Sequence, residues 1–216
     1  MYNGRVVVGG PADVHELPEL IISKIAVGPY DNNSYLLRCR ATGDQVLVDA
    51  AADPGRLMDL IGPGGISLVI TTHRHPDHWQ ALAEIVDLTG ARTAAHVEDA
   101  PGIPVPTDLL LRDGDLVSVG SSHVEAIHLV GHTPGSIALL YDDPDGPPHL
   151  ITGDCLFPGG VGKTPSPEDF DSLYTGVSGR LFDRLPDETW VYPGHGWDTT
   201  IGAERPHLAE WRERGW

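Results

Sequence analysis

Short β-rich apolar runs alternate with amphipathic stretches along this chain. Residues 21–27, 34–39 and 45–49 come first, and the polar turn 41–44 between the last two predicts a hairpin. Residues 68–72 run Leu-Val-Ile before two threonines, the pattern of a strand covered on both faces. Further strands are predicted at 124–130, Ile137–Tyr141, 149–152 and 189–192. Helical spacing takes over at Pro54–Ile61, 79–88, 167–185 and 204–214. In the second of these, Leu82, Ile85 and Val86 share a face and Gly90 is a natural stop. In the third, Ser166 is placed to cap the helix, and Phe170, Leu173, Tyr174 and Val177 form a stripe. Hairpins interrupted by single helices predict an α+β chain, with two mixed sheets face to face and helices outside. A chain of 216 residues is expected to form one domain, spanning 1–216.

Ligand-type side chains interrupt this pattern in one recurrent place, just past a strand. His73-Arg74-His75-Pro76-Asp77-His78 follows the apolar run at 68–70 closely. His132 lies in Gly131-His132-Thr133-Pro134-Gly135, Asp154 follows Gly153, and His195 follows Gly194. Imidazole nitrogen and carboxylate oxygen are donors that zinc, iron and manganese accept. Any one of these histidines alone would be an ordinary surface or core residue, but together at strand ends they point to metal chemistry. His73 and His75 are alternate residues of an extended segment, so their side chains point the same way. Pro76 keeps His75 out of the helical region and opens the next helix. Asp77 and His78, in its first turn, then face elsewhere. One segment can thus serve two metals, with His132 completing a set with His73 and His75. His195 joins Asp77 and His78, and Asp154 bridges. A position left for water is what separates a catalytic site from a structural one. Asp49 closes a strand and is either an acceptor behind a ligand imidazole or a turn residue. His15, His96, His123, His128, His149 and His207 lack such neighbours and read as ordinary histidines.

Composition narrows the partners. Lys plus Arg number 14 against 31 Asp plus Glu, a formal charge of −17, which argues against nucleic acid and anionic membranes. Cys39 and Cys155 are the only cysteines, so neither a disulfide framework nor a Cys-x-x-Cys site is expected. The first residues lack a charged leader with a long apolar core, and no apolar run is long enough to cross a bilayer. A cytoplasmic protein is the expectation. Lys24 and Lys163 are the only lysines.

The ordered set of Asp49, His73 to His78, Gly131 to Ser136, Gly153-Asp154 and Gly194-His195 resembles the metallo-β-lactamase superfamily. The resemblance covers most of the chain, from about residue 25 to about residue 202. It implies a four-layer αββα sandwich with two divalent metal ions at one edge, zinc first among them and iron or manganese as alternatives. Within the superfamily the chain is similar to glyoxalase II (hydroxyacylglutathione hydrolase) and its shorter bacterial relatives. Asp31-Asn32-Asn33-Ser34-Tyr35-Leu36, Gly153-Asp154-Cys155-Leu156-Phe157 and Gly160-Val161-Gly162-Lys163 carry that likeness. It implies a hydrolase of small-molecule thiol conjugates. In that family the basic residue at the place of Lys163 helps hold the carboxylate of the thiol carrier, which makes Lys163 a candidate substrate contact. The alternative is a surface lysine on a Gly-rich loop. Asn33, Trp79 and Gln80 are further candidate contacts. The chain departs from the family where Gln80 and Ala81 replace a frequent Gly-Gly, and where Thr164-Pro165 lacks an aromatic that supports glutathione. A C-terminal glutathione-binding helical domain is expected to be missing.

The expected reaction is hydrolysis. Two divalent ions lower the pKa of a shared water toward neutrality. The resulting hydroxide, held by Asp77 and Asp154, is the expected nucleophile toward an activated acyl carbon. A thiolate, with a conjugate-acid pKa near roughly 8.5, departs without a dedicated acid, and the motif set supplies none. A mononuclear iron persulfide dioxygenase using His73, His132 and Asp154 is the first alternative. A lactonase of the same fold and a non-catalytic metal-binding protein are the others.

Overall fold

The computed structural model of the protein describes residues 2–215. Its first sheet joins seven strands in chain order: β1 (Asp13–Glu16), β2 (Leu20–Val27), β3 (Asn32–Cys39), β4 (Gln45–Val48), β5 (Leu68–Thr71), β6 (Arg92–His96) and β7 (Leu109–Leu111). Pairing is antiparallel up to β4 and parallel beyond it. The second sheet starts with β8 (Leu116–Val119), β9 (Ser122–His128), β10 (Ile137–Tyr141) and β11 (His149–Gly153). The chain then makes a ribbon of β12 (Leu156–Phe157) and β13 (Gly160–Val161) before β14 (Trp190–Pro193) and β15 (Thr199–Thr200) complete that sheet. There β14 lies parallel to β11 and antiparallel to β15.

The period-two alternation of a strand sorts the apolar side chains into three layers. Tyr35, Leu37, Val46, Val48 and Ile70 face the second sheet, where they meet Val124, Ala126, Ile137, Leu139, Ile151 and Tyr192. Their chain neighbours Leu36, Leu47 and Val69 face the other way. They are covered by Leu57 and Ile61 of α1 (Pro54–Ile61) and by Leu82 and Ile85 of α2 (Leu82–Thr89). On the outer face of the second sheet, Ile127, Leu140, Leu150 and Val191 are covered by α3 (Pro167–Val177), α4 (Ile201–Glu204) and α5 (Leu208–Arg214). Phe170, Leu173, Ile201 and Trp211 make those contacts. The result is the αββα sandwich expected from the resemblance.

Several elements differ from the sequence expectation. Asp77 and His78 do not open the following helix. They sit in a separate three-residue 3₁₀ turn, Pro76–His78, and the helix begins at Leu82. Trp79 separates the two, with φ −141° outside the helical range. The 167–185 helix is α only to Val177 and continues as a wider π turn over Ser178–Phe182. Ser166 does cap it, its hydroxyl oxygen accepting from the Asp169 amide. The predicted 204–214 helix is continuous α only over α5, Leu208–Arg214; a 3₁₀ turn containing Pro206, which lacks an amide proton, precedes it, and the short α4 starts earlier than expected, at Ile201. Among the described residues no helix is long and apolar enough to cross a membrane.

Candidate metal centre

Four strands end along one edge of the sandwich, and the loops leaving them converge there. The loop after β5 carries His73, His75, Asp77 and His78; that after β10's partner β9 carries His132; those after β11 and β14 carry Asp154 and His195. Three groups of ligand atoms form: His73, His75 and His132; His73, His78 and Asp154; and Asp77, His78 and His195, each within 4.8 Å. His132 Nε2 lies 2.9 Å from His75 Nδ1 and 3.2 Å from His73 Nε2. Asp154 reaches both sides, with Oδ2 3.5 Å from His132 Nε2 and 3.5 Å from His195 Nε2, and Oδ1 3.4 Å from His78 Nε2. Asp77 Oδ2 lies 3.4 Å from His195 Nε2 and 3.7 Å from His78 Nε2. All seven expected side chains are therefore brought together.

The surroundings fix which imidazole nitrogen faces inward. His132 Nδ1–H donates to the Lys163 carbonyl at 2.7 Å, and His195 Nδ1–H donates to the Tyr30 carbonyl at 2.8 Å. His78 Nδ1–H donates to Asp49 Oδ2 at 2.8 Å. Each proton held outward leaves a lone pair on Nε2 facing the centre. Asp49, with φ 58°, turns the chain in the left-handed region directly after β4. Its carboxylate also accepts from the Thr72 amide at 2.7 Å and the Thr72 hydroxyl at 2.8 Å. Asp49 is thus both of the things the sequence left open: the residue that turns the chain after its strand and an acceptor behind an inward imidazole.

Burial and charge act in opposite directions on these groups. Burial pushes the His73, His75 and His132 imidazoles below their ordinary pKa, toward the neutral form that can ligate. Burial would also depress His78, but the Asp49 and Asp154 charges outweigh it and raise the ring, so a cation bound between these groups would take the place of a proton on Nε2. Burial alone would raise Asp154, yet the facing imidazoles, His78 foremost, hold it well below the carboxylate range. His78 Nε2 and Asp154 Oδ1 are buried without a hydrogen-bond partner. Inward lone pairs crowded against each other, and two unpartnered buried polar atoms, are what a set of cation ligands looks like. The donor set of imidazoles and carboxylates fits zinc, iron or manganese.

Two glycines make the convergence possible. A Cβ on Gly194 would overlap Asp154 Oδ1, and one on Gly162 would overlap the Asp154 carbonyl oxygen. The strands bearing Asp154 and His195 are also tied by the Gly194 amide donating to the Gly153 carbonyl at 2.7 Å.

The expected substrate contacts fare differently. Asn33 is fully buried, and its amide donates to the Pro193 and Gly196 carbonyls, bracing the His195 loop and presenting no surface to a substrate. Its neighbour Asn32 is the one at the centre, donating to Asp77 Oδ2 at 2.9 Å. Trp79 Nε1–H donates to the Arg74 carbonyl, folding the ring onto the loop between His73 and His75. Gln80 is exposed and lines a separate hollow with Gly28, Pro29 and Glu84. The Lys163 side chain is exposed beside a cleft, while its carbonyl holds His132.

Sequence reading missed two further groups. Buried Asp99, just past β6, accepts from the Arg74 amide at 2.9 Å, the Thr133 hydroxyl at 2.5 Å and the Gly135 amide at 2.8 Å. It ties the loop of His73 and His75 to the loop of His132. The strand-end rule that flagged Asp49 would have flagged Asp99 had β6 been recognised. Lys24, fully buried, donates to the Gly4 and Gly196 carbonyls and to Asp198 Oδ1. Asp198 in turn accepts from Tyr2 and Trp190. Burial pulls the Lys24 ammonium down and pushes the Asp198 carboxyl up, against their mutual attraction.

An αββα sandwich with imidazoles and carboxylates gathered at one edge is the scaffold of a metallo-hydrolase. The metallo-beta-lactamase superfamily matches residues 27–195, and the chain belongs to that superfamily. It is 34% identical over 179 residues to the hydroxyacylglutathione hydrolase of Polaromonas sp., a match covering 82% of this chain and 66% of that protein. The chain thus spans just under two thirds of that relative's length. Among solved structures, it matches ETHE1 from Myxococcus xanthus at 28% identity and a TM-score of 0.78, covering 89% of this chain and 84% of that one. It matches TTHA1623, solved in a di-iron-bound form, at 30% identity and a TM-score of 0.70, covering 84% and 96%.

Proposed function

We propose that the protein is a binuclear metal-dependent hydrolase of thioesters or similarly activated acyl substrates. His73, His75 and His132 would hold one divalent ion, and Asp77, His78 and His195 the other, with Asp154 shared between them. The observation that carries this reading is the position of Asp154, whose two oxygens lie within 3.5 Å of imidazoles from both sets. The di-iron form of TTHA1623 supports a two-ion centre on this fold. The hydroxyacylglutathione hydrolase relative supports the thioester.

When bound, the ions would supply a water ionised near neutral pH and an electrophilic partner for the acyl oxygen. The chain's own residues do the rest. Asn32 orients the Asp77 carboxylate. Asp77 and Asp154, the carboxylates that face the inward imidazoles, would accept the proton of the attacking water. Asp49 and the Lys163 and Tyr30 carbonyls keep His78, His132 and His195 from turning. In the net reaction the acyl carbon gains the oxygen of water, the carbon–sulfur bond breaks, and the departing thiol takes the proton. We propose further that the described residues form one catalytic domain, working in the cytoplasm.

Elemental analysis of the purified protein, paired with a thioester hydrolysis assay, tests this. The expected result is two ions of zinc, iron or manganese per chain and hydrolysis that a chelator abolishes. Hydrolysis at an undiminished rate by fully metal-free protein would overturn it. A second reading draws on the closeness of His73, His132 and Asp154, which can form a two-His, one-carboxylate iron site. One iron per chain with persulfide-dependent oxygen uptake would select that reading instead.

A further inference from the structure

A cleft of about 660 Å³ opens beside the candidate metal centre, between the β12–β13 ribbon, the segment leading into α3 and the end of α5. It shares walls with three candidate ligands. Lys163 contributes both its lining and the carbonyl that holds His132. Gly162 lines it and is pressed against the Asp154 backbone so closely that no side chain fits there. Phe157 lines it, and its ring centroid stands 6.2 Å from that of His195. A molecule in this cleft therefore lies within reach of the reacting edge.

The lining is unlike the rest of the surface. On a chain with 31 acidic residues, no carboxylate lines this cleft among the described residues. Phe157, Val161, Pro165 and Pro167 are its apolar lining residues, and Gly215 at the end of α5 also lines it. Lys163 is its one charged lining residue, and no ion pair engages that ammonium among the described residues. Lys24, by contrast, is sealed against Asp198. Apolar walls reward burial of hydrocarbon and penalise a charged group that finds no partner.

We infer that this cleft binds a hydrocarbon portion of the substrate, so that the preferred substrates are thioesters with an aliphatic or aromatic acyl group and at most one nearby negative charge. Glutathione brings two carboxylates and an ammonium, and the described lining of the cleft offers one cation and no anion to receive them. The inference rests on the hydrolase reading above and specifies its substrate class. Each additional methylene of an acyl chain that enters the cleft adds a roughly fourfold gain in kcat/KM, until the cleft is filled.

The test uses the metal-loaded full chain and a series of acyl thioesters, acetyl to octanoyl, of one small thiol carrying a single carboxylate, compared with lactoylglutathione. The expected result is a kcat/KM that climbs at least tenfold along the series and ends at least tenfold above lactoylglutathione. Val161→Asp is expected to flatten that climb, and Val161→Leu to keep it. Separately, calorimetric titration of the protein with straight-chain carboxylates is expected to show affinity rising with chain length, and Val161→Asp to remove that dependence. A flat series, or lactoylglutathione as the best substrate, overturns the inference and leaves the hydrolase reading standing. Chain-length-dependent carboxylate binding with no hydrolysis of any thioester does the reverse: the cleft holds hydrocarbon, and the hydrolase reading fails.

Discussion

The strands that carry the candidate ligands at one end carry a second gathering of histidines at the other, and the two ends behave differently. Asp154 follows β11 and His195 follows β14, while His149 opens β11 and Trp190 opens β14. At this far end His149 Nδ1 and His15 Nδ1 lie 2.9 Å and 2.8 Å from the same Tyr192 hydroxyl, which can donate to one and accept from the other. Tyr2 stacks on His15 at 4.5 Å between centroids, and Trp190 meets His15 edge-on. Burial lowers both imidazoles, His149 to about 4. No carboxylate hydrogen-bonds either of them, and no group of three ligand atoms forms there among the described residues. His149 Nε2 is unpartnered, as His78 Nε2 is, but it faces no second donor of that kind. Clustering of histidines is therefore not the signature of a metal centre. The signature is outward nitrogens pinned by fixed acceptors and inward nitrogens converging on a carboxylate.

The sharpest way to break this contrast is to remove the shared carboxylate. Asp154→Ala is expected to strip metal from both sets and to cost activity more than the roughly 10- to 100-fold typical of a supporting contact. Metal content by elemental analysis and kcat/KM on a thioester read both effects. Retention of two ions would show that the two sets do not depend on it.

Next in size are the carboxylates behind the ligands, and they divide between the sets. Asp49 touches His78, whereas Asp99 ties the loops of His73, His75 and His132. Asp49→Asn is expected to weaken one ion and Asp99→Asn the other, each by roughly 10- to 100-fold. Titration with a competing chelator should resolve a two-step release in which each variant shifts a different step. Identical shifts would mean that the two sets bind as a unit.

The effect at the far end leaves the metal centre untouched at neutral pH and appears only in acid. A histidine whose folded pKa is held near 4, below its ordinary value, favours the neutral form. Its contribution is complete above about pH 6.5 and is lost as the pH falls through that window toward 4. The loss is on the order of 3 kcal/mol at the acid end. His149→Phe should therefore flatten the difference in melting temperature between pH 7 and pH 4.5, without changing metal content at pH 7. An unchanged pH slope would place the acid sensitivity at the other end.

These two ends also show what sequence could convey. The metal edge was legible because its ligands sit at strand ends in short motifs, and the four apolar runs before them were long and β-branched enough to read as strands. The two facing sheets followed from hairpins interrupted by single helices and the αββα order from the family resemblance, whereas the opposite facing of neighbours such as Leu36 and Leu37, or Leu47 and Val48, all apolar, carried no mark in the sequence. What stayed hidden depended on weak local signals or on distance. β6, Arg-Thr-Ala-Ala-His, carries little strand propensity, so Asp99 lacked the placement that would have marked it. In the pair Asn32 and Asn33, one residue of register decides which amide meets Asp77 and which is buried under Gly196, and composition cannot set register. The start of α2 was misplaced because Trp79 leaves helical geometry to fold over the Arg74 carbonyl, a contact with no pattern in sequence.

The buried Lys24 ammonium gives the amino-terminal tail a stake in chemistry at the far side of the sheet. Gly4 supplies one of its three acceptors, Gly196 beside His195 supplies another, and Tyr2 shares the third, Asp198. A shortened version beginning at residue 5 would leave a cation short of an acceptor inside the protein, directly under the loop that presents His195. A clipped preparation that shows poor activity should therefore be checked by mass before its catalytic residues are blamed.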